Sequence, residues 1–112
     1  MNEISTNLDP LMTKHLVKSG VFADDPVVIV DVGARWGFNA EWKVFDSALR
    51  VYCFEPDEEE CRRLNKSSGP NVKYIPAALG LRDGDATLYE TRLVASTGLY
   101  KTNMDFFSRM LN

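Results

Sequence analysis

A chain of 112 residues is long enough for one small domain. Its 45% hydrophobic residues can furnish a core, and its 26% charged residues are an ordinary balance for a globular protein. The net charge of -3 comes without any block of Lys or Arg, which argues against a nucleic-acid-binding surface and gives an anionic partner no long-range steering.

The first predicted element is a helix over residues 8–19, with Asp9 as its cap, Pro10 at its first position and Gly20 as its left-handed exit. Leu8, Leu11, Met12 and Leu16 supply its apolar stripe, and His15 falls beside that stripe as a partly exposed helix histidine. A short acidic connection with Asp24 and Asp25 leads into residues 27–32. These are apolar on both faces until Asp31, the pattern of a parallel strand covered on both sides. A glycine turn follows, and then a helix over about residues 39–49 with Trp42, Phe45 and Leu49 on one face.

A second strand is predicted over residues 50–55 and ends in Glu55. Asp57 then caps a helix in which Glu60 stands at the third position, as in a capping box. Glu58/Arg62 and Glu59/Arg63 are i, i+4 pairs on its outer face, while Cys61 and Leu64 turn to the sheet. Residues 72–79 form a third strand, which Pro76 confines to a sheet edge or terminates, because proline has no amide to donate. Asp83-Gly84 is a turn signal, residues 86–91 read as a hairpin strand, no element is assigned to 94–99, and a last helix over 102–111 places Met104, Phe107 and Leu111 on one face. Strands separated by helices imply right-handed crossovers and a parallel sheet.

Cys53 and Cys61 have no CxxC spacing and the chain has one His, so a metal site is not expected and the thiols read as reduced, in a cytoplasmic setting. The first residues lack the basic and apolar regions of a signal peptide. Apolar runs such as residues 27–30 fall far short of a membrane span, so no membrane association is expected.

The chemistry concentrates around residues 27–38. Ligands of parallel α/β sheets bind at the carboxyl ends of the strands, where Asp31 and Glu55 both stand. Gly33 and Gly37 allow positive φ and close approach of a ligand to the backbone, and the helix that follows offers amides and a positive dipole end to an anion. The dinucleotide fingerprint G-x-G-x-x-G is a poor match, since Arg35 stands where its second glycine belongs and Phe38 where its third belongs. The pattern acid-x-Gly-x-x-x-Gly of Asp31, Gly33 and Gly37 suits S-adenosylmethionine instead. That cofactor has no pyrophosphate but carries a carboxylate, an amine and a ribose diol, and an acid at the second strand end can accept bonds from both ribose hydroxyls. Each residue also has a plainer reading: a tight turn for the glycines, a helix cap for Asp31 and a solvated strand end for Glu55.

Taken together, Val30-Asp31-Val32-Gly33-Ala34-Arg35-Trp36-Gly37, then Phe54-Glu55-Pro56, then Pro76-Ala77-Ala78-Leu79-Gly80 with Asp83-Gly84, resemble the FkbM-type family of S-adenosylmethionine-dependent methyltransferases. Ala95-Ser96-Thr97-Gly98-Leu99 looks like the small, serine-rich segment that follows the family's hairpin. The resemblance spans about residues 27–111. It implies an α/β, Rossmann-like methyltransferase fold with a parallel sheet and helices on both faces. Asp31, Gly33, Ala34 and Gly37 would line the methionine end of the cofactor, Glu55 would hold the ribose, and Ala78 and Leu79 would flank the adenine. O-methylation of a hydroxyl on a sugar or other small secondary metabolite is the implied activity. Arg35 departs from the residue more usual in the turn, so a backbone role is expected of it.

The family's fold has further strands than these. The most apolar strand, residues 27–32, should have neighbours on both sides, yet only the second strand offers itself, and an open apolar edge is one that folded proteins avoid. The expected organisation is therefore an N-terminal helix and connection over 1–26 and a cofactor-binding half-domain over 27–112. The open edge would be covered by a missing C-terminal half or by a second copy. No general base is assigned. The competing readings are a non-catalytic module that dimerises or binds a partner, and an NAD(P)-dependent oxidoreductase.

Overall fold

The computed structural model describes residues 8–92, 97–101 and 103–110, without the side chains at 107 and 110. Residues group into two compact units, Met1–Leu79 and Gly80–Asn112.

The first unit is built on a three-stranded parallel sheet of β1 (Val27–Val32), β2 (Leu49–Phe54) and β3 (Val72–Ile75), in the order β1-β2-β3. The register sets Val27, Ile29 and Asp31 beside Leu49, Val51 and Cys53, and sets Val51 and Cys53 beside Val72 and Tyr74. Partnered residues of a parallel ladder share a face, so these make one row-by-row surface. It is the buried one: Leu49, Val51, Cys53 and Tyr74 form the core with Ala34 and with Cys61 and Leu64 of helix α2 (Glu58–Ser67). The alternate residues Val28, Val30 and Val32 are 57%, 57% and 60% exposed, and Tyr52 is exposed as well. The architecture is thus an incomplete α/β Rossmann-like sheet, open on its second face and, among the described residues, paired along β1 only to β2. In the doubly wound arrangement the sheet continues on the far side of the first strand, the side left open here.

β3 ends directly before Pro76 and lies at the sheet edge, as the proline requires. α2 begins where Asp57 caps it, its side chain accepting the Glu60 amide at 3.0 Å. The reciprocal half of the expected capping box is supplied differently: the Asp57 amide donates to Glu55 Oε1 at 3.0 Å, not to Glu60. Glu58 pairs with Arg62 as expected, whereas Arg63 turns to Glu60, one residue nearer than the expected Glu59.

The crossover between β1 and β2 is a 3-10 helix, Ala40–Ala48, in place of the α-helix expected over 39–49. Asn39 caps it and Asp46 breaks it with φ 45 and ψ -120, so Leu49 already belongs to β2. The break at Asp46 turns the chain out of the helical path, and three residues later it is in β2. Trp42 stacks on Phe45 with ring centroids 6.3 Å apart, and Phe22 meets Phe45 edge-on at 5.8 Å.

Helix α1 (Leu11–Lys18) packs against this 3-10 segment. Pro10 occupies the cap position, without a side-chain cap bond, and Asp9 pairs with Lys14 at 2.8 Å. The expected apolar stripe is not the buried one: Leu8, Leu11, Met12 and Leu16 are exposed, and the half-buried face is Pro10, Thr13, Lys14 and Val17. His15 is exposed.

In the second unit the hairpin strand expected over 86–91 reduces to one antiparallel bridge. Tyr89 exchanges amide–carbonyl bonds of 2.8 and 3.2 Å with Gly98. Helix α3 (Met104–Met110) carries Asn103 as its cap, which accepts the Phe106 amide at 3.1 Å. Residues 95 and 96 of the serine-rich stretch, and the Phe107 and Leu111 side chains of the expected apolar face, lie outside the described residues.

Candidate cofactor-binding site

At the carboxyl end of the sheet β1 runs into the turn of residues 33–38. Gly33 has φ 77 and Gly37 has φ 103, conformations that a Cβ disfavours. Gly37 is also crowded: an added Cβ would lie 3.4 Å from the Tyr74 hydroxyl and 3.9 Å from Leu64. Trp36 adopts φ 69, rare for a bulky residue, with its indole exposed.

This turn is stitched to the β2–α2 junction. The amides of Gly33 and Ala34 share the Phe54 carbonyl at 2.8 and 3.2 Å. The Trp36 amide donates to Glu60 Oε1 at 3.1 Å, the Gly37 amide closes the turn on the Ala34 carbonyl at 3.0 Å, and the Phe38 amide reaches the Tyr74 hydroxyl at 3.4 Å. The expectation that these amides and the following helix start stand open to an anion is therefore corrected. The turn leans on the neighbouring strand, whose end supplies acceptors, and Asn39 takes the Glu41 amide at 3.2 Å.

Glu55 follows β2. Its amide extends the ladder to the Ile75 carbonyl at 3.1 Å, and its carbonyl accepts the Cys61 thiol at 3.2 Å. Its side chain is buried, with Oε1 held by the Asp57 amide and 4.0 Å from Arg35 Nη1. Arg35 Nη1 also lies 3.1 Å from Asp57 Oδ2. Beside the backbone role expected of it, Arg35 thus pairs its side chain with these two carboxylates. A long cation on a turn beside two strand-end carboxylates is drawn to them.

Asp31 is half-buried on the covered face, level with Cys53. Burial, and then the Asp31 charge, push the Cys53 thiol up to about 11. Glu60 is held down to about 2 by its hydrogen bond from Arg63, with the Trp36 amide adding to this.

The parallel register brings Asp31, Gly33 and Glu55 to one end of adjacent strands. Ala34 lies close by, but its side chain is in the core. Gly37 turns toward Tyr74 and Leu64, and Ala78 and Leu79 follow β3 as exposed residues. Sequence reasoning missed Glu60 and Tyr74, the acceptors that fix the turn. Glu60 had a competing identity as a capping-box residue, and Tyr74 read as an ordinary strand aromatic.

Among the described residues no group of three His, Cys, Asp or Glu side chains could hold a metal ion, and no helix is long and apolar enough to cross a membrane. Comparison of the chain with protein-family models, curated proteins and solved structures finds no match.

Proposed function

We propose that this chain provides the cofactor-binding half of an S-adenosylmethionine-dependent methyltransferase of the FkbM type. The reading is carried by one observation: a buried carboxyl group, Glu55, at the end of β2, directly beside the left-handed Gly33 turn that ends β1. A ribose diol presents two donors, and a carboxylate fixed by a backbone amide at one oxygen is a preorganised acceptor for them. Asp31, at the end of the adjacent strand, supplies a negative charge toward the amine of the cofactor. The fit is best at this ribose end. The turn's amides are engaged within the protein, so the methionine carboxylate must find its partner elsewhere.

When bound, S-adenosylmethionine supplies an electrophilic methyl group for in-line displacement by a hydroxyl of a sugar or other small metabolite. The contribution of this chain is to bind and orient the donor. No side chain here is assigned as general base. The free, buried Cys53 and Cys61 suit a reducing, cytoplasmic setting.

Calorimetry with S-adenosylhomocysteine tests the reading. Binding that weakens at least tenfold in Glu55→Ala is the expected result, consistent with loss of charge-assisted bonds. Unchanged affinity rejects Glu55 as the ribose acceptor.

A second reading, a non-catalytic module that dimerises or binds a partner, is favoured by the exposed row Val28, Val30 and Val32 along the open β1 edge. A molecular mass that rises with concentration, together with no affinity for the cofactor, would select it. A nicotinamide dinucleotide is disfavoured because Arg35 stands where closest approach of a pyrophosphate needs glycine.

A further inference from the structure

Arg35 is the one long side chain in the first turn whose charged end reaches the strand-end carboxylates. Its guanidinium lies 3.1 Å from Asp57 Oδ2 and 4.0 Å from Glu55 Oε1, the oxygen that also accepts the Asp57 amide. Asp57 is itself fixed, because its other oxygen caps α2 at 3.0 Å. The backbone under Arg35 is fixed as well, by the Ala34–Gly37 turn bond at 3.0 Å and the Trp36–Glu60 bond at 3.1 Å. What can move is the side chain.

It has somewhere to go. Arg35 borders an open cleft of about 420 Å³ whose wall carries the Asp57, Glu59 and Glu60 carboxylates together with Arg62, Arg63 and Lys66. Arg35 already lowers the Glu60 pKa through its charge, so the two groups are electrostatic neighbours in the present arrangement. Glu60 is already taken by Arg63 and the Trp36 amide, so a guanidinium leaving Glu55 keeps Asp57, which lines the same cleft, and gains Glu59, at a cost set by partly solvated ion pairs and not by a buried charge.

We propose that Arg35 is a latch over Glu55: its guanidinium and a ribose diol compete for the same carboxyl group, and release of Arg35 toward the Glu59–Glu60 cleft opens the site. The proposal rests on the cofactor reading given above and adds a control element to it. The latch sets selectivity, because a ligand gains access to Glu55 only if its hydroxyls outcompete an ion pair. A ligand lacking the diol has nothing with which to displace Arg35.

The test uses calorimetry of the purified chain with 5′-methylthioadenosine, a neutral nucleoside with the ribose and adenine of the cofactor but no carboxylate. A charge change at position 35 then acts on Glu55 and not directly on the ligand. Arg35→Met is expected to tighten binding about two- to fivefold, the range of a partly exposed ion pair. Asp57→Asn, which keeps a good helix cap, is expected to tighten it in the same direction by less. Raising NaCl should tighten the wild type but not Arg35→Met. Should Arg35→Met fail to fold, Arg35→Lys replaces it, with a smaller gain expected because the positive charge is kept on a shorter stem. Wild-type binding that is unchanged or weakened by the substitution at Arg35 overturns the latch and leaves the cofactor reading standing. Absence of binding in the wild type and in the Arg35 and Asp57 variants alike overturns the cofactor reading and the latch with it.

Discussion

The Asn65 side chain of α2 makes two hydrogen bonds to the backbone of Tyr74: its Oδ1 accepts the Tyr74 amide at 2.9 Å and its Nδ2 donates to the Tyr74 carbonyl at 2.9 Å. A helix side chain thereby stands in for a fourth strand along the outer edge of β3. The amide group of Asn matches a peptide group in donor and acceptor, so the strand edge sees what a neighbour would offer. This edge is blunted, whereas the β1 edge on the other side of the sheet is apolar and has no such device among the described residues.

Asn65→Ala is expected to lower stability by about 1–3 kcal/mol, because it strips both partners from the backbone of a residue whose side chain is in the core. Urea unfolding followed by circular dichroism measures it. A loss below about 0.5 kcal/mol would mean that water replaces Asn65 without cost.

Glu60 gives the fold a definite acid response. Its folded pKa of about 2 lies below the unfolded value of about 4.3, so its contribution is complete above the unfolded value. It is lost progressively as pH falls through this window toward the folded value. Urea midpoints measured from pH 5 to pH 2 should fall more steeply for the wild type than for Glu60→Gln, which keeps an acceptor for the Trp36 amide but has no charge to protonate. Parallel pH profiles for the two proteins would contradict the assignment.

Both thiols should be inert in the native state. Cys53 is pushed up to about 11 and Cys61 is raised, in each case chiefly by burial, so the reactive thiolate is scarce at neutral pH and is also shielded. Titration with an aromatic disulfide at pH 8 should register both thiols in strong denaturant and neither in buffer. Fast labelling of the folded protein would show that the α2–sheet interface opens readily.

Gly37→Ala combines two penalties, a left-handed φ of 103 and a Cβ placed 3.4 Å from the Tyr74 hydroxyl. The expected loss is about 1–3 kcal/mol. Gly33→Ala tests the separation of the two effects: its φ is 77 but nothing lies within 4 Å of the new Cβ, so it should cost less. Equal losses in thermal unfolding would assign the whole effect to backbone strain.

Much of the site's framework was legible in the residues. The apolar runs Val27–Val32 and Val51–Phe54, the Asp57 cap and Pro76 place β1, β2, α2 and the end of β3. From that parallel order it follows that Asp31, Gly33 and Glu55 meet at one end of the sheet. S-adenosylmethionine, expected from the spacing of Asp31, Gly33 and Gly37 and from the family resemblance, stands as a proposal. Periodicity misjudged α1, because Leu8, Leu11, Met12 and Leu16 form a good stripe whether or not a surface exists to receive it. It misjudged the first crossover too, a 3-10 segment broken at Asp46, whose positive φ no periodicity announces.

By itself the sequence determined the three parallel strands and helix α2, the order in which they follow one another and the end of the sheet at which Asp31, Gly33 and Glu55 meet. All of these depend on neighbours along the chain: a cap and its helix, a proline and its strand, a glycine and its turn. Only the tertiary structure decided where the polar side chains spend their bonds. Glu60 went to Trp36 and Arg63, Arg35 to Asp57 and Glu55, and Asn65 to Tyr74. Each of these side chains had several partners of suitable chemistry within reach of a flexible stem, and distance in the folded chain, which no local pattern encodes, selected among them.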